Sequence, residues 1–408
     1  MNYLLAAWLC LPSFLMVVLS LPSLAIGLIF TSFAAMLSSL LLNLKRRVHL
    51  GKPYLVILTV AAISVFVSHF IGQQPLSQKQ GLAMAGLLVL AFSASTLLHH
   101  YFSREAGCVS RGLKGAYFFL VVIGLIGVMW PVRVGPFTPL NHPVFPFAEP
   151  SHFTLAYAQV ASLLLPFLKR RGRLAIVLIS FFLAFGFPSA TMLVVALLLS
   201  LVTIPLRWLF ILAISVVPVI WFITASAPEA FVYFTDRLAN TDEGNLSRLM
   251  YIQGWENLIS AISTTSGAGV SFQNLGNEPA GVSTELIRAL TGGVDLNRAD
   301  GGFLFAKIGG EFGVLGVFVA LTLIVMSIWS GVRVRRELKA DLSAERALAI
   351  LPLFPIYIFI VEILIRGVGY FSPTFLLTLY FIPQAMRLLL NKRSRRAALK
   401  TALAGTTD

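Results

Sequence analysis

Apolar residues fall in runs of bilayer-spanning length along this chain. They occupy about 3–20, 22–43, 54–72, 81–98, 116–130, 151–168, 174–187, 190–206, 209–226, 303–330, 347–366 and 374–390, the shorter ones being long enough for helices packed inside a bundle. The pattern predicts an all-α, polytopic membrane helix bundle of about twelve transmembrane helices, forming one integral membrane domain over 1–408. No fixed-period repeat interrupts it. No basic residue precedes the first run, and Cys10 follows Leu9 rather than a small residue. The first run therefore reads as an uncleaved span rather than a signal peptide.

Composition agrees with this reading, since 57% of residues are hydrophobic and only 12% charged, with a mean hydropathy of +0.86; a soluble domain carries about twice that charge. Charge adds an orientation. Alternate connections hold Lys45-Arg46-Arg47 with Lys52, Arg104 with Arg111 and Lys114, Lys169-Arg170-Arg171 with Arg173, Arg207, Arg333 to Arg346, and a tail from Lys392 to Lys400 together with Arg387. If both termini are cytoplasmic, one face gathers 23 of the 31 basic residues and 5 of the 17 acids, as basic residues retained inside require. The face opposite the basic clusters is then the outer one. The high pI then reflects topology and contact with anionic membrane lipid, and no nucleic-acid partner is expected. The two cysteines, Cys10 and Cys108, imply no disulfide or metal framework, and no metal or cofactor is expected.

Two outer connections stand out, 131–150 and the much longer 227–302. Within the second, Ile252, Trp255, Ile259 and Ile262 recur at helical spacing and predict a helix over 247–263 lying on the membrane surface. Arg248 shares their stripe, either as a snorkelling anchor or as an anion-binding residue. Ser266-Gly267-Ala268-Gly269 and Thr291-Gly292-Gly293 read as turns rather than a nucleotide loop, which would need a strand before it and a helix after it. Two charge pairs at i,i+4 sit within apolar runs, Lys307 with Glu311 and Glu362 with Arg366, each able to neutralise itself along one helix. The string Pro146-Phe147-Ala148-Glu149-Pro150-Ser151-His152 puts Glu149 at the N-cap of the sixth span. There it is either a capping carboxylate or a functional one.

These segments resemble the bacterial O-antigen polymerases, within the O-antigen polymerase and ligase superfamily. The likeness rests on Glu149-Pro150-Ser151 opening a middle span, and on Ser247-Arg248 leading a surface helix into Gly267-Ala268-Gly269. It also rests on Glu311-Phe312-Gly313-Val314-Leu315-Gly316 after the large outer loop, and on Arg366-Gly367-Val368-Gly369-Tyr370-Phe371 near the end. The resemblance implies a metal-independent, inverting glycosyltransferase of the bacterial inner membrane, its active site facing the periplasm, that polymerises undecaprenyl-diphosphate-linked oligosaccharide repeat units, with a chain-length regulator protein and a flippase as partners.

Such chemistry needs a base for the acceptor hydroxyl and cations for the departing diphosphate. Glu149 and His152 are the candidate bases, with nothing in the sequence to choose between them. Arg248 is the third candidate catalytic residue, expected to clamp the diphosphate with Arg366. Arg133, Arg237, Arg288, Arg298, Arg366 and Tyr370 are expected to bind substrate. Two rivals remain. An O-antigen ligase would use the same donor, but ligases resemble one another in a histidine in the large outer loop, and 227–302 holds none. A lipid-linked oligosaccharide flippase or transporter would place polar residues on broken spans.

Overall fold

The computed structural model describes residues 4–21, 23–42, 48–70, 77–130, 132, 144–187, 189–208 and 246–390, and among them all regular structure is helical. The helices are α1 Leu4–Val18, α2 Leu24–Leu42, α3 Lys52–Phe70, α4 Gln78–Phe102, α5 Ala106–Met129, α6 Pro150–Leu164, α7 Arg170–Gly186 and α8 Ala190–Thr203. After the undescribed stretch come α9 Leu246–Thr264, α10 Val282–Thr291 and α11 Leu304–Glu337. The chain closes with α12 Ala344–Ile350, α13 Leu353–Ile358, α14 Ile360–Leu364 and α15 Pro373–Leu390. Five of these are long and apolar enough to cross a membrane, and α12 to α14, bent by 47° at a short break, make a sixth. The bend falls at Pro352 and Pro355, whose missing N–H groups interrupt the helix ladder. Helices stand at eleven of the twelve positions expected from the apolar runs. The ninth, 209–226, lies outside the described residues.

Burial is distributed as a lipid-facing bundle requires. Every residue of α6 from Phe153 to Leu164 is buried, making it the central pillar. On α11 the exposed large apolar side chains are Val314, Leu315, Phe318, Val319, Leu321, Val325, Ile328, Trp329 and Val332. That apolar stripe runs about 27 Å along the helix, close to the thickness of a bilayer's hydrocarbon layer.

One end of the bundle is pinned by arginines on helix C-terminal carbonyls, groups that no further helical turn can satisfy. Buried Arg173 donates to the carbonyl oxygens of Leu165 at 3.2 Å, Leu338 at 2.6 Å and Ala340 at 3.3 Å. Arg335 donates to the Ile204 carbonyl at 3.0 Å and Arg333 to that of Leu388 at 2.5 Å. The final turns of α6, α8, α11 and α15 therefore meet at this end. The basic residues read from sequence as topology signals also cap these helices.

The long 34-residue element α11 is not one straight rod. Gly313 sits at φ 61°, ψ −141°, and the helix breaks there. In a continuous helix residues eight apart are about 12 Å apart along the axis. Here a Cβ on Gly316 would overlap the Ile308 carbonyl, and one on Gly309 would come 3.1 Å from Val317. The chain is folded sharply, so the membrane-length segment begins after the break. Lys307 and Glu311, expected inside the tenth span, stand on the short segment before it. The 265–271 strap fills the gap. Val270 and Ser271 amides donate to the carbonyls of Gly310 at 2.9 Å and Glu311 at 3.0 Å, and the Val314 amide donates to the Gly267 carbonyl at 2.9 Å.

Candidate functional site

The described part of the long connection before α11, 246–302, folds as a small helical cap. Leu249, Met250 and Ile287 form one apolar cluster, Leu258, Phe303 and Ala306 a second, and Ala261, Val270 and Leu275 a third. The expected helix over 247–263 is present as α9, but its protein-facing side differs from the expected stripe. Leu249, Met250, Gln253, Asn257, Leu258 and Ala261 are buried, whereas Ile259 is 65% exposed. The buried face is partly polar because Gln253 donates to Thr284 on α10 at 3.0 Å, a partner no helical wheel reveals. The glycine turns have structural work: Gly292 caps α10 in the left-handed region at φ 70°, the Gly267 amide donates to the Ile262 carbonyl at the end of α9, the Gly269 amide donates to Thr265 Oγ1, and the Val270 and Ser271 amides are spent on the α11 break.

Beneath this cap lies a cluster of charges. Glu149 occupies the N-cap position of α6 yet makes no capping bond. Its Oε2 instead accepts from Arg366 Nη2 at 2.6 Å and from Ser151 Oγ at 2.9 Å. With the Asn297 amide turned so that its oxygen faces the guanidinium, that oxygen accepts from Arg366 Nη1 and Nη2 at 3.0 Å each. Burial alone would raise the Glu149 pKa. The nearby Arg366 and His152 and the hydrogen bonds from Ser151 and Arg366 outweigh it and hold the carboxyl at about 2. The Glu362–Arg366 pair expected from i,i+4 spacing is not formed, because α14 ends at Leu364 and the chain turns out of helix before Arg366. Arg366 thus reaches a partner 217 residues away.

Two further charges are shut in completely. Lys307 Nζ lies 3.2 Å from Glu311 Oε1, both side chains fully buried, as the i,i+4 spacing predicts. Lys307 also donates to the Ala299 carbonyl at 2.6 Å, approaches Asp300 Oδ1 at 3.5 Å, and sits 5.2 Å from the centre of the Tyr370 ring. Tyr370 is buried against Phe272 and Phe312. His152 lines a small cavity with Ser13, Phe147, Ser372 and Thr374, and its Nδ1 is buried without a hydrogen-bond partner.

Of the residues singled out in the sequence, Glu149, His152, Arg366 and Tyr370 therefore gather at this end. Arg248 lies in the first turn of α9, half-buried beside Leu249 and Met250. Arg366 faces Glu149 and Asn297. Arg288 is held by Glu285 at 2.8 Å and Asp295 at 2.6 Å, and Arg298 by Asp295 at 3.1 Å and the Glu278 carbonyl. Both arginines thus brace the cap, their charges already matched. Arg133 and Arg237 lie outside the described residues. Sequence reasoning passed over Lys79, Asn297 and Asp300. The string Asn297 to Gly302 is rich in turn formers, but nothing in it shows that it folds against Lys307 and Arg366.

Four helices begin at this end. α4 starts with a capping box between Ser77 and Gln80, and the Gln80 side chain donates to the Phe272 carbonyl at 2.9 Å. α6 starts at Glu149-Pro150, α11 beside Gly302, whose carbonyl accepts from the Gly367 amide at 3.1 Å, and α15 next to Ser372 on the His152 cavity. For α6, α11 and α15 this is the end opposite the arginine pins. No protein-family model and no curated protein matches the chain. Fold and site together define an all-α bundle with the helices of a membrane protein and a buried charge cluster under a helical cap.

Proposed function

We propose that the protein is a membrane glycosyltransferase that polymerises undecaprenyl-diphosphate-linked oligosaccharide repeat units at the periplasmic face of the inner membrane, with about twelve spans and both termini cytoplasmic. The observation carrying this reading is the convergence of four helix N-termini on a cluster of paired charges, at the end of the bundle away from the arginine pins. A diphosphate arriving there meets the positive ends of helix dipoles. It does so where surrounding protein excludes water and strengthens each contact. Glu149 is ionised and tied to Arg366, so its first role is to hold that guanidinium in place; a carboxylate with a pKa near 2 is a weak proton acceptor at neutral pH.

The break at Gly313 favours a second reading, lipid-linked oligosaccharide transport, because transporters place substrate sites on discontinuous helices. The polymer profile of a deletion strain separates the readings. Loss of long chains with single repeats still attached to the lipid core is the expected result. Complete loss of attachment would indicate a ligase, and cytoplasmic accumulation of the lipid-linked unit a flippase. The topology has its own check: reporter fusions at Gly276 and Lys339 are expected to report opposite compartments, and finding both on one side would remove the periplasmic assignment.

A further inference from the structure

We propose that Asp300 and Lys79 are the working pair of this site, Asp300 taking the proton of the acceptor hydroxyl and Lys79 receiving the departing diphosphate, while Glu149–Arg366 and Lys307–Glu311 form the floor that positions them. The proposal rests on the glycosyl-transfer reading and assigns within it the base role expected of Glu149 or His152 and the diphosphate role expected of Arg248 with Arg366.

The carboxylates around the cluster differ in what they are free to do. Glu311 is fully enclosed with Lys307, and Glu149 is bound to Arg366. Asp295 is shared by Arg288 and Arg298, and the Glu278 carboxylate accepts from Ser260. Glu362 forms no ion pair among the described residues, but it is buried away from any incoming group. Asp300 is the exception among the described residues, with 47% of its side chain exposed and one long contact of 3.5 Å to a Lys307 already closer to Glu311. A proton acceptor must reach an incoming hydroxyl, and the exposed Asp300 carboxylate can.

The loop carrying Asp300 turns sharply and is fastened on three sides. Asn297, Gly301 and Gly302 have φ of 52°, 66° and 72°, the left-handed region open to glycine and tolerated by asparagine. Asn297 is tied to Arg366, the Ala299 carbonyl to Lys307, and the Gly302 carbonyl to the Gly367 amide. Gly369 passes beneath the carboxylate, where a Cβ would come 2.8 Å from Asp300 Oδ1. The buried ion pairs thus fix the direction of one exposed acid.

Lys79 supplies the cation. It lies exposed in the first turn of α4, and the adjoining Gln80 side chain fastens that turn to the Phe272 carbonyl at 2.9 Å, one residue from the Ser271 amide that donates to the Glu311 carbonyl at 3.0 Å. Lys307 is enclosed and Arg366 is already matched by Glu149, whereas Lys79 forms no ion pair among the described residues and has charge to spare. In the transfer the acceptor O–H bond breaks as its oxygen bonds to the anomeric carbon, and the proton passes to Asp300. The bond from that carbon to the diphosphate oxygen breaks, its electron pair staying on the diphosphate. Undecaprenyl diphosphate leaves against Lys79, and Asp300 returns the proton to solvent.

The test combines binding of undecaprenyl diphosphate to the full-length protein in lipid nanodiscs with the polymer ladder of complemented deletion cells. Asp300→Asn is expected to bind the probe at least as tightly as wild type, because a like charge is removed, with an unchanged unfolding midpoint and polymer output reduced by about 10²-fold or more. Asp300→Glu should restore part of the output. Lys79→Gln should weaken binding about tenfold while Lys79→Arg retains it. A full ladder from Asp300→Asn, or wild-type affinity in Lys79→Gln, overturns the pair. A wild-type protein that binds no undecaprenyl diphosphate removes the glycosyl-transfer reading itself, and the pair with it.

Discussion

Arg366→Ala is expected to destabilise the purified protein by about 3 kcal/mol, and adding Glu149→Ala to it should cost almost nothing more. The single change strands a carboxylate among the first turn of α6, the cap and the 366–372 segment, with no other cation bonded to it. Removing one member of a buried pair costs about 3–5 kcal/mol; the lower end applies because Glu149 remains 26% exposed. Deleting both leaves no orphaned charge, so a double-mutant cycle in detergent should return a coupling of about 2 kcal/mol. Additive losses would show that the two side chains meet without depending on each other. The same pair has a pH signature. The Glu149 carboxyl is lowered from its ordinary 4.5 to about 2, so ionisation favours the folded state at full strength above pH 4.5. That contribution is lost as pH falls toward 2. Wild type should lose its stability advantage over Glu149→Gln across that window and hold it constant at higher pH.

How much of this was legible beforehand depended on the range of the interaction. Helix positions follow from local runs of apolar residues, and the Lys307–Glu311 pair from a four-residue spacing within one helix. Glu149 and Arg366 could be singled out because charge is rare in so apolar a chain. Their union could not, since it depends on α14 ending two residues before Arg366 and on the entry of α6 arriving from 217 residues away. Arg288 and Arg298 look like free cations in sequence. Only the folded cap shows Asp295 between them. The stripe through Ile252 and Ile259 located a helix without its buried face: apolar side chains can face a membrane surface as well as the protein interior, so periodicity alone does not say which face meets protein. Arg173 carried a topology signal, but its three carbonyl partners belong to helix ends far apart in sequence.

The glycines of Glu311-Phe312-Gly313-Val314-Leu315-Gly316 should prove as indispensable as any charge. Sequence alone offers close helix packing as their reason, whereas the structure gives each a separate one. Gly313 adopts a φ of 61° with ψ at −141°, open essentially to glycine alone, and a Cβ there would overlap the Gly267 carbonyl of the strap. Gly316 lies where a Cβ would overlap the Ile308 carbonyl. Neither obstacle is a flexible side chain that could swing aside. Backbone strain costs about 1–3 kcal/mol at such a position and overpacking about as much again. Gly313→Ala should therefore lose more than about 3 kcal/mol, with little protein recovered from the membrane. Gly107→Ala is the control, because that helical glycine of α5 has nothing within 4 Å of its would-be Cβ, and alanine there should stabilise by a few tenths of a kcal/mol up to about 1. If Gly313→Ala instead matched wild type in yield and unfolding midpoint, α11 would have to run straight through residue 313. Lys307 and Glu311 would then return to the interior of the span, away from the strap and the cap that now enclose them.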